Sequence, residues 1–310
     1  MAVKANKKVV LVKIEPTPGV DANPVPATDA IEVLNLRVTT LSQRMADRNV
    51  AKPYFGHNGQ IQVGATMILE YDIEIAGAGA VDSAPGYAAV LSACAMSETI
   101  TPTTGPVTYN VVSDAEEYVT QKFYYENQLR VMLYGGGSWE IRFSEGAVPL
   151  LHLRFEGIYG GVSTAAPGTP DLSAFQKALA MTKANTTFSL HGYAAPLSSL
   201  TISQNNRHVY KNRPNSERMH FTDRQSTGSV VIEMPKFAVK DFITICEQET
   251  LGALAMVHGT TAGNKVLIDA PTVQLVYQGE SEQDNMVMLS MNMLLVSGAS
   301  GNDEFTFKTQ

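Results

Sequence analysis

Residues Val119 to Tyr159 read VTQKFYYENQLRVMLYGGGSWEIRFSEGAVPLLHLRFEGIY. Leu129, Val131 and Leu133 alternate with Arg130, Met132 and Tyr134, and Trp139, Ile141 and Phe143 alternate with Glu140, Arg142 and Ser144. Leu151, Leu153 and Phe155 repeat the step against His152, Arg154 and Glu156. Successive side chains of an extended chain point to opposite faces, so an apolar residue at every second position predicts half-buried antiparallel strands. Glu126-Asn127-Gln128, Gly135-Gly136-Gly137 and Ser144-Glu145-Gly146 supply turn chemistry between the runs. The expectation is a sheet with one apolar face, packed along its whole length, and one polar, charged face left wet.

The whole chain supports a core of that kind. Its 310 residues are 44% hydrophobic, enough for one large or two ordinary globular domains. A formal charge of -7 opposes a surface that grips nucleic acid, because phosphate contacts need Lys and Arg to release counterions. Cys94 and Cys246 are too few for a disulfide scaffold and form no metal-binding or redox pair, so both read as small buried hydrophobes. Lys4, Lys7 and Lys8 precede an apolar run, Val9 to Ile14, that Lys13 and Glu15 cut too short for a secretion signal. No apolar segment reaches the roughly 18 residues of a membrane helix, and the chain is expected to fold in the cytoplasm without binding membranes.

Upstream of the central stretch, Val9 to Ile14 predicts a strand, and Pro16, Pro18, Pro24 and Pro26 an extended arm. Ala30 to Thr40 and Ile61 to Ile75 predict strands joined by a long polar loop, Gln43 to Gln60. A short helix is expected over Tyr87 to Met96, a strand over Val107 to Val112, and an acidic turn over Ser113 to Glu117. Downstream, Gly160 to Asp171 has linker composition. Ser173 to Leu190 admits a helix around Phe175, Leu179 and Met181 in its first half, while Thr186 to Leu190 favours a strand.

The second half then repeats the order of the first. Short strands at Leu200 to Ser203 and Arg207 to Tyr210 precede a polar loop, Lys211 to Thr227, and a strand, Gly228 to Met234. An amphipathic helix over Phe237 to Glu249 turns Phe242, Ile243 and Cys246 inward. Ala253 to Gly259, Lys265 to Asp269, Thr272 to Gln278 and Met286 to Val296 predict strands, with a last one at Glu304 to Lys308. In the closing pair Val273, Leu275 and Tyr277 stand for Trp139, Ile141 and Phe143, and Val287, Leu289, Met291 and Met293 for Leu151, Leu153 and Phe155. Long loop, strand, short helix and four strands thus occur twice, which reads as duplication or as two unrelated β-domains sharing generic hairpins. The division expected is a first β domain with an N-terminal arm over 1–165 and a second with a polar tail over 166–310.

No catalytic, cofactor-binding or metal constellation emerges. The six histidines lack metal-ligand spacing, Gly77-x-Gly79 and Gly135-Gly136-Gly137-Ser138 lack a strand-to-helix setting, and no Gly-x-Ser-x-Gly elbow occurs. Glu116 with Glu117 and Glu280 with Glu282 read as solvated carboxylates in turns. The expectation is a protein that is not an enzyme and needs no cofactor.

Two blocks carry a family likeness. The run Lys13-Ile14-Glu15-Pro16-Thr17-Pro18-Gly19, continuing to Ala30-Ile31-Glu32-Val33, resembles the opening of the tail tube proteins of bacteriophages with long non-contractile tails. Lys122-Phe123-Tyr124-Tyr125, Gly136-Gly137-Ser138-Trp139 and Leu153-Arg154-Phe155-Glu156-Gly157 resemble their central signature. The polar insertion Lys211 to Thr227 departs from the compact unit of that family. The resemblance implies a mainly β fold of two tandem tube-like β-sandwich or barrel domains, each flanked by a short helix. It also implies a structural virion protein whose rings, usually of six tube folds, stack into a conduit for DNA; two folds per chain would make the ring a trimer with pseudo-sixfold symmetry. Partners would be further copies of the chain, a tape-measure protein and terminator or baseplate proteins, with DNA only in transit.

Contact residues follow from the loops, where Arg and aromatic side chains suit subunit or ring contacts. They are Arg44, Asp47, Arg48, Tyr54 and Phe55 in the first loop, and Arg213, Glu217, Arg218, Phe221, Asp223 and Arg224 in the second. Asp114, Glu116, Glu117, Glu140 and Glu156 are expected on an acidic lumen, or else as ordinary surface charges. Alternative readings are a tail terminator or baseplate-hub ring of the same fold, and a bacterial surface β-sandwich that binds carbohydrate or protein.

Overall fold

A computed structural model describes residues 3, 4 and 6–310. β1 (Lys8–Ile14) leads through the proline-rich strap and one helical turn, α1 (Pro26–Asp29), to β2 (Ala30–Ile31). β3 (Leu34–Asp47) and β4 (Gln60–Glu74) form a long hairpin. α2 (Ala88–Ser92) then precedes a second hairpin, β5 (Met96–Ile100) with β6 (Val107–Val111). β7 (Val119–Tyr125), β8 (Gln128–Ser144) and β9 (Leu150–Thr164) follow.

Irregular chain leads to β10 (Thr186–Leu190) and β11 (Leu197–Ser203), then to the hairpin β12 (Asn206–Arg213) and β13 (Ser216–Arg224), and to β14 (Thr227–Glu233). α3 (Phe242–Glu247), β15 (Gly252–His258), β16 (Val266–Gln283), β17 (Met286–Leu295) and β18 (Thr306–Thr309) complete a mainly β protein.

Pairing is antiparallel throughout, and the ladder order is written twice. The first half runs β3-β4-β9-β8-β7-β1. The second runs β11-β14-β17-β16-β15-β10. Each order matches the other position for position, and α2 and α3 each follow the second strand of their half in the chain. Two seams join the halves into one sheet. β11 pairs with the end of β8, Ser199 opposite Ser144 through Ser203 opposite Glu140. β18 lies between β16 and β6.

The sheet curls over one apolar core that draws on both halves. Trp139 meets Phe305 edge-on at 5.2 Å, Phe143 of β8 faces His258 of β15 at 5.7 Å, and Tyr109 and Tyr87 close on Phe307 of β18. The strap is fastened at Glu15, whose carboxylate accepts hydrogen bonds from the Thr120 hydroxyl at 2.9 Å and the backbone N–H of Tyr134 at 2.8 Å. Burial nevertheless holds that carboxyl above its ordinary range.

Several sequence expectations are corrected. Gly135-Gly136-Gly137 is no turn: β8 runs unbroken from Gln128 to Ser144, and the register with β9 shifts between Leu133 and Gly136. A bulge changes which alternate residues face inward. Met132 is therefore fully buried while Leu129, Val131 and Leu133 are only half-buried, and Trp139, Ile141 and Phe143 point into the core as expected. The glycines permit close approach instead: a Cβ on Gly137 would lie 2.5 Å from the Phe155 ring, and one on Gly136 2.6 Å from His208.

The first long loop is shorter than expected and the second is mostly strand. β3 continues to Asp47, leaving a connection of residues 48–59, and Lys211 to Thr227 folds as β13 and the ends of its neighbours. The expected strand from Ala30 is split, with Ala30–Ile31 on β1 and β3 starting at Leu34. The linker begins later than expected, because β9 continues to Thr164. No helix forms over Ser173 to Thr182.

The second helix shrinks to Phe242–Glu247 and leaves Phe237 exposed, because Asp241 caps it by accepting from the Thr244 N–H at 3.0 Å. Lys265 to Asp269 and Thr272 to Gln278 are one strand, β16, which carries Glu280 and Glu282 along it and not in a turn. Pro271, which has no N–H, falls where the register with β15 shifts between Gly252 and Leu254. Tyr277 and Val287, expected inward, are exposed.

Candidate assembly surface

Two hairpin arms and one wet sheet face hold the residues expected to make contacts. The first arm is the distal part of β3 and β4. Arg44 lies on it and donates to the Tyr210 carbonyl at 3.2 Å, with its guanidinium 4.8 Å from the Tyr210 ring. Asp47 accepts from the Gln60 side chain at 2.6 Å, while Arg48, Tyr54 and Phe55 occupy the exposed tip, where Lys52 sits 5.7 Å from the Tyr54 ring. Phe55 is wholly exposed.

The second arm is β12 with β13, folded over the first half. Tyr210 and Met219 pair across the arm and are buried with Tyr118 and Tyr134 in a small cluster of their own, Ile158 packing beside them. Tyr118 and Tyr134 meet edge-on at 4.3 Å. Glu217 accepts from the Tyr210 hydroxyl, and Phe221 lies 5.6 Å from the ring of His208. Burial of His208 against Gly136 lowers its pKa to about 4, so the imidazole is neutral near pH 7. Arg213 and Arg218 are exposed.

Arg224 is engaged within the chain: it pairs with Glu304 at 3.0 Å and donates to the Val112 carbonyl at 2.8 Å. Asp223 accepts from the Arg224 N–H at 2.9 Å, closing the arm.

Of the five acidic residues expected on a lumen, the structure brings together Glu140 and Glu156. Both line a cleft of about 470 Å³ between the wet face of β8 and β9 and the second arm. Charges interleave on that face, with Arg142 to Glu140 at 2.6 Å and Arg154 to Glu70 at 3.1 Å, and the His152 ring hydrogen-bonds Asp72 at 2.6 Å. Asp114, Glu116 and Glu117 sit apart in the turn before β7, where Glu116 accepts from the Tyr118 hydroxyl at 2.9 Å. Across the seam the character of the face changes. The outward positions of β11, β14 and β17 include Ser199, Thr201, Ser203, Ser229, Ser290 and Asn292, which carry no charge, with the apolar Val231 and Leu294 beside them and one carboxylate, Glu233, at the end of β14.

Sequence reasoning missed a third feature, exposed apolar side chains on or beside strands. Leu41, Met45, Ile61 and Val63 stud the first arm, and Leu251, Val276 and Leu294 lie exposed on the second half. The sequence reading gave these side chains no role. The signal available was the polar company of Ile61 and Val63, which sit among Gln60, Gln62 and Gly64.

Among the described residues no cluster of His, Cys, Asp and Glu is placed to hold a metal ion, and no helix is long and apolar enough to cross a membrane. No curated protein matches the sequence. A family model described as phage tail tube protein matches residues 5–294, nearly the whole chain and both halves of the repeated ladder. The chain therefore belongs to the phage tail tube protein family, structural virion components that assemble with their own copies into a tube.

Proposed function

We propose that this chain is a duplicated tube subunit, divided near residue 165, and that three copies close a pseudo-sixfold ring that stacks into the conduit for phage DNA. The observation that carries the reading is the seam between the halves. β11, the first strand of the second ladder, fills the side of β8 that β7 leaves open beyond Gly135. Among the described residues the corresponding edges are open at the other end of each ladder: β3 pairs with β4 alone, and β16 beyond Val273 has no partner on the side occupied by β15. Open edges of this length template pairing with another chain. A heterologous joint of one copy's β16 with the next copy's β3 would repeat the internal seam and, if its rotation closes, give a ring without edges.

The wet face supports the role. Its carboxylates are interleaved with arginines in the first half, β11 at the seam is uncharged and β14 adds only Glu233, so it offers DNA no basic lining to hold phosphates. On this reading Glu140 and Glu156 face the lumen, with the turn Asp114, Glu116 and Glu117 beside it. Arg48, Tyr54 and Phe55 at the tip of the first arm reach the next ring. A tape-measure protein would occupy the lumen before DNA, terminator and baseplate proteins would close the ends, and assembly would take place in the host cytoplasm.

Electron microscopy and native mass measurement of the purified protein test this directly. The expected result is long hollow tubes built from rings of three chains. Rings of six whole chains, or a protein that stays monomeric at high concentration, would overturn the reading, and single rings that never stack would identify a terminator instead.

A further inference from the structure

The first arm of one copy covers an apolar patch on the second half of its neighbour, we infer, just as the second arm covers the first half within the chain. The inference rests on the ring reading above and names the surfaces that meet.

Within the chain, β11 does not stop at its seam with β8. It continues through Asn205, at positive φ, into β12, and the arm lies across the wet face of the first half. There Tyr210 and Met219 bury Tyr118 and Tyr134 to 4% and 8% exposure, and Asn212 donates to the Val63 carbonyl at 3.1 Å.

The second half has the same site without its cover. Tyr118 immediately precedes the strand whose Val119 pairs with Gly135, and Leu251 immediately precedes the strand whose Gly252 pairs with Val273. One residue on, Gly136 pairs with Glu156 in the first half and Gln274 with Leu294 in the second. Leu251 and Leu294 thus stand where the second arm sits in the first half, yet they are 49% and 40% exposed. Val276 is exposed beside them.

The equivalent of the second arm is the distal hairpin of β3 and β4, by its place in the ladder. It carries Ile61 and Val63 exposed on one face, with Met45 opposite Gln62 on the other, and it cannot reach the patch in its own chain because the second half's own arm and seam strand lie between. Exposed apolar side chains on the arm and on the patch are complementary surfaces whose burial is favourable. The occupant of the patch is therefore the first arm of a second copy, and successive arms overlap around the ring like shingles.

The test uses two full-length variants. Ile61→Glu with Val63→Glu disables the arm, and Leu251→Glu with Leu294→Glu disables the patch. All four positions are exposed, so each variant should keep its thermal melt to within a few degrees of the parent. Each variant alone is expected to need at least a tenfold higher concentration to assemble. An equimolar mixture should form heterodimers and stop, because one intact arm meets one intact patch. Hydrogen exchange on parent tubes should show new protection at Gln60–Gly64 together with Leu251 and Leu294, and this holds the proposal to account if a variant misfolds.

Assembly of the patch variant at the parent's concentration, or tubes without new protection at Leu251 and Leu294, would overturn the inference while leaving the ring reading intact. Loss of assembly in the patch variant alone would overturn the arm as occupant. Failure of the parent protein to form any ring is a different result, and removes the ring reading itself.

Discussion

At the scale of single residues, close packing decides what substitutions do. A Cβ added to Gly137 would lie 2.5 Å from the Phe155 ring and 3.0 Å from the Arg154 carbonyl, too close for a methyl group. Gly137→Ala is expected to destabilise the subunit by about 1–3 kcal/mol, the usual cost of overpacking, measured as a shift in the urea midpoint. Arg224→Ala should cost more, about 3–5 kcal/mol, because it strands the mostly buried Glu304 carboxylate without its partner. A melt unchanged by that substitution would mean the pair is solvated. His208 gives the pH dependence. Its folded pKa is about 4 against 6.5 in the open chain, so on acidification the unfolded state takes up the proton first. Stability should fall between pH 6.5 and about 4 by up to about 3 kcal/mol, and His208→Gln should flatten that slope. His191 and His258, also lowered by burial, add in the same direction and leave a residual slope.

At the scale of elements, the arms are where a reading by alternation and a reading by contact part company. Were Lys211 to Thr227 only the polar loop that its composition suggests, deleting it would leave a folded subunit. The structure shows that segment to hold Met219, which covers Tyr118 and Tyr134, and Arg224, which holds Glu304. The full deletion is expected to lower the melting temperature of the subunit as well as its assembly, measured by scanning calorimetry beside light scattering. Replacing only Tyr54 and Phe55 at the tip of the first arm with Ser should leave the melt unchanged and weaken stacking, since neither side chain packs on the core. The short helix behaves as a capped turn: Asp241→Ala removes the acceptor of the Thr244 N–H and should cost about 1 kcal/mol.

At the scale of the whole molecule, the C-terminal strand ties the halves together. β18 inserts between β16 and β6, and Phe305 and Phe307 are buried against Trp139, Tyr87 and Tyr109. Truncation before Glu304 removes two core aromatics, each typically worth about 3–5 kcal/mol, and opens a ladder edge. No folded subunit is expected from it, and recovery of a soluble chain with a cooperative melt would show the halves to be self-sufficient.

How much of this was legible beforehand depended on the range of the interactions. Alternation placed β1, β4, β7, β9, β14 and β17 close to where they lie, because a strand with one buried face must repeat every two residues. Asp241 and the prolines of the strap act through neighbours in sequence, yet the expected helix began at Phe237, five residues before the observed start at Phe242. The triple glycine was misread for a different reason. Gly136 and Gly137 make room for His208 and Phe155, which come from other strands, and nothing within a few residues of them distinguishes a bulge from a turn.

The amino-acid order by itself determined that the chain would be built of half-buried strands in two successions of the same elements, since local period and turn chemistry act over a few residues. Only the tertiary structure decided which strand edges are filled and which are open, and which apolar side chains are covered and which are not. Those properties depend on β11 meeting β8 and on the second arm reaching the first half, contacts between residues more than fifty positions apart that no local pattern records.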